Sequence, residues 1–225
     1  MQTSRPTREF WYATAAGVVI ALVCYLVPVV AVLVAEIEYR SLDWRFHVRG
    51  PLPPHPELVI VAIDEPSLRE VGQWPWPRRT VAELLEATEL SRPRLVAVDV
   101  LFSERGERGG DAILAATLRR HSNIYLPLFI TNSAPADWLF NLPSLACWQG
   151  KEAASRQAQV AADLLYRFPG LTAPLPDLCA AAQGLGIVEL VGSGDGVYRD
   201  CAFVGRTDAG LVPSMPLVLA AAYLG

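Results

Sequence analysis

Residues 10–35 run for 26 positions without a charge, and this feature restricts the chain more than any other. As an α-helix rising ~1.5 Å per residue, the run would extend roughly 39 Å, enough to cross a ~30 Å hydrocarbon core with some tilt. Trp11 and Tyr12 stand at its start, where aromatic rings favour a membrane interface. Pro28 lies inside, where a membrane helix tolerates it as a kink. A core helix this long with no polar face does not suit a domain of this size. A cleaved signal peptide is the other reading, because Val29-Val30-Ala31 has the form of a cleavage site, but the run is long for one. The sequence predicts an uncleaved anchor. Its direction is left open by charge, since Arg5 and Arg8 precede it while Arg40, Arg45 and Arg49 follow.

The remaining composition fits an anchor joined to one medium domain. The chain has 225 residues, is 52% hydrophobic and carries a net charge of −4; its mean hydropathy of +0.28 is high for a wholly soluble chain. It lacks a basic cluster, which argues against nucleic acid as a partner. Residues 36–50 read as an outward continuation of the helix. Leu42, Phe46 and Val48 supply apolar contacts there, and Arg40, Asp43 and Arg45 can pair at helical spacing. The stretch 51–56, PLPPHP, is a stiff linker, and His55 within it reads as solvated.

The domain from 51 onward is organised around residues 58–79, LVIVAIDEPSLREVGQWPWPRR. Residues 58–63 form an unbroken Val- and Ile-rich run, the pattern of a parallel strand buried on both faces. Asp64 or Glu65 then caps a short helix with Pro66 in its first turn and Gly72 at its end. Trp74 and Trp76 each precede a proline, which favours extended backbone and places both indoles on one side. Residues 78–90 give a helix with Val81, Leu84, Leu85 and Thr88 on one face. Residues 95–100 give a second strand carrying Asp99. After a polar loop at 103–110, Asp111 caps a helix ending near His121. Residues 123–130 read as a third strand, with Pro127 pointing to an edge or a bulge. This alternation is a βαβαβ unit.

The stretch 132–175 is hard to read; it holds one helical segment at 152–168, and Trp138, Phe140 and Trp148 there have the character of a flap. A short helix at 178–183, strands at 187–190 and 198–204 joined by a hairpin turn at 192–196, a turn at 208–210 and an apolar helix at 215–224 capped by Ser214 complete the chain. The fold class is therefore α/β: a three-layer domain with a mainly parallel sheet and a C-terminal β-hairpin, preceded by one transmembrane helix.

An apolar strand ending in Ala-Ile-Asp-Glu-x-Ser-Leu, followed by Gly-x-Trp-Pro-Trp-Pro-Arg, resembles the second class of CHASE sensory domains (cyclase/histidine-kinase-associated sensing extracellular). Residues 39–50 (YRSLDWRFHVRG), 96–104 (VAVDVLFSE), 184–186 (GLG), 195–199 (DGVYR) and Pro213-Ser214 resemble that family in the same order, while 132–175 has no counterpart. The resemblance implies residues 1–9 in the cytoplasm, a membrane helix at 10–35, a juxtamembrane helix at 36–50 and an extracytoplasmic sensory domain at 51–225, on a bacterial inner membrane. It further implies a cytoplasmic output, a nucleotide cyclase or a histidine or serine/threonine kinase, usually after more membrane helices. None follow Gly225, so the chain resembles a fragment or a truncated homologue.

Asp64 and Asp99 each follow an apolar run, at the carboxyl end of an expected parallel strand, where open α/β sheets bind ligands. Glu65, Trp74, Trp76, Arg78 and Glu104 join them as candidates for binding a cation or a small polar ligand. The competing reading is structural, with Asp64 as a helix cap and Asp99 bonded to loop amides or Arg78. The sequence has no Cys-x-x-Cys pair, phosphate loop or nucleophile elbow, and its three histidines are scattered, so no cofactor, metal or catalytic residue is assigned. Cys147, Cys179 and Cys201 fall outside the membrane run, leaving room for one disulfide, with Cys179–Cys201 one pairing. The partners expected are the lipid bilayer, a small-molecule or envelope ligand, and a second copy through the membrane and juxtamembrane helices. The alternative is an extracytoplasmic binding protein or hydrolase using acidic strand ends.

Overall fold

A computed structural model describes residues 8–132, 139, 142, 165–189, 196–199, 201–208 and 210–224, without the side chains at 9–10, 24–26, 28–29 and 31. The chain divides into two compact units, Met1–Ala62 and Ile63–Gly225.

The first unit is built on α1 (Arg8–Arg49), one continuous helix of 42 residues that takes in both the uncharged run and the juxtamembrane stretch. Arg40 Nε pairs with Glu36 Oε1 one turn back at 3.0 Å, and the Arg49 guanidinium lies 4.6 Å over the Phe46 ring. Among the described residues, no helix is long and apolar enough to cross a membrane. Gly50, at φ 70°, ends the helix before the proline-rich linker. The buried strand expected at 58–63 is absent. Residues 58–61 are extended and exposed, Ile60 by 90%. An apolar run specifies burial, but it becomes a strand only where a neighbouring backbone pairs with it.

The second unit is a mixed α/β domain. α2 (Glu65–Val71) starts as expected: Asp64 accepts from the Ser67 amide, Ser67 Oγ returns to the Asp64 amide, and Gly72 closes the helix. α3 (Arg78–Glu89) buries Val81, Ala82 and Leu85. β1 (Val96–Ala97) is shorter than the strand expected at 95–100, although the Val98 amide still reaches Tyr125 O at 3.0 Å. α4 (Gly110–Arg120) begins two residues early: Gly109, in left-handed geometry, is its N-cap, and Asp111 lies in the first turn instead.

β2 (Ile124–Thr131) is central, a correction to the edge expected from Pro127. It pairs parallel with β1 and with β5 (Gly184–Ile187), and antiparallel with β4 (Gly170–Thr172). Pro127 falls where the β1–β2 ladder ends. The Asn123 and Tyr125 carbonyls face β1, so Pro127 faces the same side, one step beyond the last β1 bond at Val98. The next rung of the ladder, an N–H bond from 127 to Val98 O, is the one that proline removes, and β1 ends there.

β3 (Tyr166–Arg167), β6 (Val204–Thr207) and β7 (Gly210–Pro213) form a separate three-stranded sheet. The antiparallel hairpin is β6–β7, with Thr207 opposite Gly210, rather than the pair expected around 192–196. α5 (Pro176–Ala181) and α6 (Met215–Leu224) complete the unit. Ser214 precedes α6, but its hydroxyl is buried with no hydrogen-bond partner among the described residues, so it is not the side-chain cap expected. Residues 166–168 are strand and extended chain rather than helix end. The rest of the expected 152–168 helix and the aromatic flap lie outside the described residues.

The core is centred on Phe102, Leu114, Leu118, Ile124, Leu126 and Leu178, all essentially inaccessible. Ile63 packs against it. Cys179 is buried and free, its thiol donating to Pro174 O at 3.3 Å, and Cys201 is exposed and free. The Cys179–Cys201 pairing is therefore not made. Burial pushes the Cys179 thiol up to about 12.

Candidate functional site

The structure separates the seven candidate residues into two groups. Asp64, Glu65, Asp99 and Glu104 have exposed side chains. Asp64 is held by its capping box: the Ser67 hydroxyl donates at 2.6 Å and the Ser67 amide at 3.1 Å. The hydroxyl bond first, then the amide bond, hold its carboxyl below the usual range. No described strand ends at Asp64, whereas a strand end beside β1 was the premise for grouping it with Asp99.

Trp74 and Trp76 meet edge to face, centroids 5.7 Å apart. The peptide between Trp74 and Pro75 is cis, so the extended Trp-Pro-Trp geometry expected is not adopted. Trp76 is buried, with Nε1–H donating to Gly72 O at 2.8 Å. Trp74 remains 37% exposed. The indole pair therefore presents one ring to solvent and anchors the other.

Arg78 is committed internally. Its Nη2 donates to Glu104 O at 2.8 Å and its Nε lies 3.3 Å from Asp111 Oδ1, while the guanidinium stacks 4.5 Å over the Phe102 ring. Asp111 also accepts from the Gly106 amide. The expected Arg78–Asp99 bond is replaced by this set.

The same corner holds a residue that sequence reasoning passed over. Pro77 precedes α3 and has no side chain to cap it. Glu107 does so from the 103–110 loop, Oε2 accepting from the Arg78 amide at 2.8 Å and Oε1 from the Arg79 amide at 2.9 Å. A carboxylate suits the partial positive charge of a helix N-terminus. Desolvation raises the Glu107 carboxyl, but the Arg79 and Arg78 amide bonds outweigh it and leave the group below its ordinary value. The loop expected to be free and polar is tied down here.

A second unforeseen cluster joins α3 to α4. Glu86 Oε1 accepts from Thr117 Oγ1 at 3.0 Å and from Arg120 Nη1 at 2.7 Å, and Glu86 Oε2 lies 3.0 Å from His121 Nε2. His121 Nδ1 faces Glu89 Oε2 at 3.8 Å. The bond to His121 is the main cause holding the Glu86 carboxyl below its ordinary value. A depressed carboxyl contributes stability above its unfolded value, near 4.3, and that contribution is lost as pH falls through the folded value. Glu86→Gln is thus expected to lose about 1 kcal/mol at pH 7. Its deficit from the parent should shrink on acidification below about pH 4. Urea unfolding at the two pH values measures this, and a constant deficit would contradict it. No group of three or more His, Cys, Asp or Glu among the described residues could hold a metal ion.

The described polar clusters of this mixed α/β domain are largely spent on its own helix ends. A family model, the CHASE2 domain, matches residues 16–225. The chain belongs to the CHASE2 family, whose domains are sensory and extracellular. Neither a curated protein nor a solved structure matches it.

Proposed function

We propose that the chain is the extracytoplasmic input domain of a bacterial sensor, anchored in the inner membrane by residues 10–35 and coupled to a cytoplasmic cyclase or kinase output. The family match over residues 16–225 carries this reading. The anchor is supported by the uncharged run lying within a single helix, Arg8–Arg49. With residues 1–9 inside, residues 36–225 carry 17 basic against 22 acidic side chains, a net −5. α1 is also the natural seam of a homodimer, since its apolar length is shared by both copies.

The stimulus is read as a small polar ligand or a cation met by exposed groups among Asp64, Glu65, Trp74, Asp99 and Glu104, which form no metal-holding cluster among the described residues. Trp76 and Arg78 keep a structural part, since their polar groups are spent on internal bonds. A thermal-shift screen of divalent cations, amines and sugars tests the assignment. At least one class should raise the melting temperature of the parent, and Asp64→Asn or Asp99→Asn should abolish the shift while keeping the fold. A screen with no shift, or shifts unchanged in both variants, would remove the site.

A further inference from the structure

We propose that His121 and Glu89 form a proton-binding site that tightens the α3–α4 pair as pH falls through the interval, about 8 to 5, in which histidine side chains change charge. The inference goes beyond the ligand reading above and holds or fails independently of it. His121 is the C-cap of α4, and its side chain is 20% exposed. Its ring lies between two carboxylates of α3. Nε2 is 3.0 Å from Glu86 Oε2, and Nδ1 is 3.8 Å from Glu89 Oε2. A neutral imidazole has one N–H and one lone pair, so it donates to one carboxylate and turns a lone pair on the other. The protonated ring donates at both.

Glu89 is the member of the cluster that lacks a cation. Its side chain is only 11% exposed, and Oε1 is buried with no hydrogen-bond partner among the described residues. Oε2 has the Asn123 side-chain amide at 3.4 Å, a group that also donates to Pro93 O at 3.0 Å. Arg120 gives its Nη1 to Glu86 instead, at 2.7 Å. A carboxylate withdrawn from water and left half bonded is costly. Charge balance points the same way. The charged groups in these contacts are Glu86 and Glu89 on α3 and Arg120 on α4, while Thr117 and Asn123 supply neutral donors. Two carboxylates and one guanidinium leave one negative charge, which a proton on His121 cancels.

The ring sits at one end of the two helices. Val81, Leu85, Leu114 and Leu118 belong to one apolar core and join α3 to α4 without any titratable group. The proton therefore acts on the helix ends. At the end of α3 the Leu90, Ser91 and Arg92 amides return to the Ala87, Thr88 and Glu89 carbonyls, and at the end of α4 the His121 amide reaches Thr117 O at 3.2 Å. A cation at the C-terminus of α4 is also favoured by that helix's dipole. Because the proton is bound between groups that only folding brings together, the stability it contributes is present near pH 5 and lost as pH rises toward 8.

Urea unfolding of the full chain in detergent, near pH 5 and near pH 8, tests this with His121→Gln and Glu89→Gln beside the parent. The parent's advantage over His121→Gln in folding constant should be about fivefold greater at the lower pH, the scale of one partly exposed ion pair. In a Glu89→Gln background the same comparison should show a smaller pH dependence, with Glu86 the one carboxylate left against the ring. An advantage equal at both pH values, or one undiminished by Glu89→Gln, overturns the proposal. Hydrogen exchange on the parent decides it if a variant does not fold. After correction for intrinsic rates, segments 87–92 and 117–121 should open more readily near pH 8 than near pH 5, while 78–82 stays unchanged. An equal response of all three segments, or none, overturns the site.

Discussion

Trp76→Ala is expected to destabilise the domain by about 3–5 kcal/mol, the usual cost of removing a buried aromatic. At roughly 2–4 °C per kcal/mol for a domain of this size, the melting temperature should fall by on the order of 10 °C. Two losses combine. The indole is 6% exposed and packs in the main core, and its N–H satisfies Gly72 O, the residue that closes α2. Trp74→Ala removes a ring that is 37% exposed and should cost a fraction as much. Calorimetry of the two variants checks the contrast. Equal losses, or a Trp76 variant that melts like the parent, would contradict a structural role for the buried ring and return it to the ligand face.

The second large effect is expected at Gly186. A Cβ there would lie 2.6 Å from Met215 Cα and 2.7 Å from Met215 N, backbone atoms that cannot swing aside. Gly186 sits in β5 opposite Pro127, and the next residue, Ile187, bridges Ser214 at the start of α6. Glycine is therefore required by the close approach of helix to strand. Gly186→Ala should cost about 1–3 kcal/mol or more, by forcing α6 off the sheet. Gly184→Ala meets mainly the Tyr125 ring and should cost less, because a side chain can move. Denaturant unfolding separates the pair, and a neutral Gly186→Ala would show that α6 is not seated where the structure has it.

The parts of the fold legible in the sequence are those that local chemistry determines. Asp64, Pro66, Ser67 and Gly72 define α2 whatever surrounds them, and the 3.6-residue spacing of Val81 and Leu85 defines the buried face of α3. The illegible parts depend on partners far along the chain. Residues 58–63 have the composition of a buried strand, and no feature of that composition says whether an edge is present to receive them. Pro127 looked like an edge residue because proline lacks a donor, yet β2 is central: the gap falls on the β1 side, where that short strand ends, while β2 stays paired with β5. Glu107 caps a helix that starts 29 positions earlier, and Glu86 gathers donors from the far end of α4. Neither is signalled by spacing. Of the candidate site, the capping role of Asp64 was legible, whereas Arg78 proved to be spent on Glu104, Asp111 and Phe102.

The central claim, that residues 36–225 form a sensory domain held outside the cytoplasm by the helix at 10–35, is tested most directly by reporter fusions after Gly225. Alkaline phosphatase, which folds only outside the cytoplasm, should be active there, and a cytoplasmic fluorescent protein should be dark. Fluorescence without phosphatase activity would contradict both the topology and the sensor reading built on it.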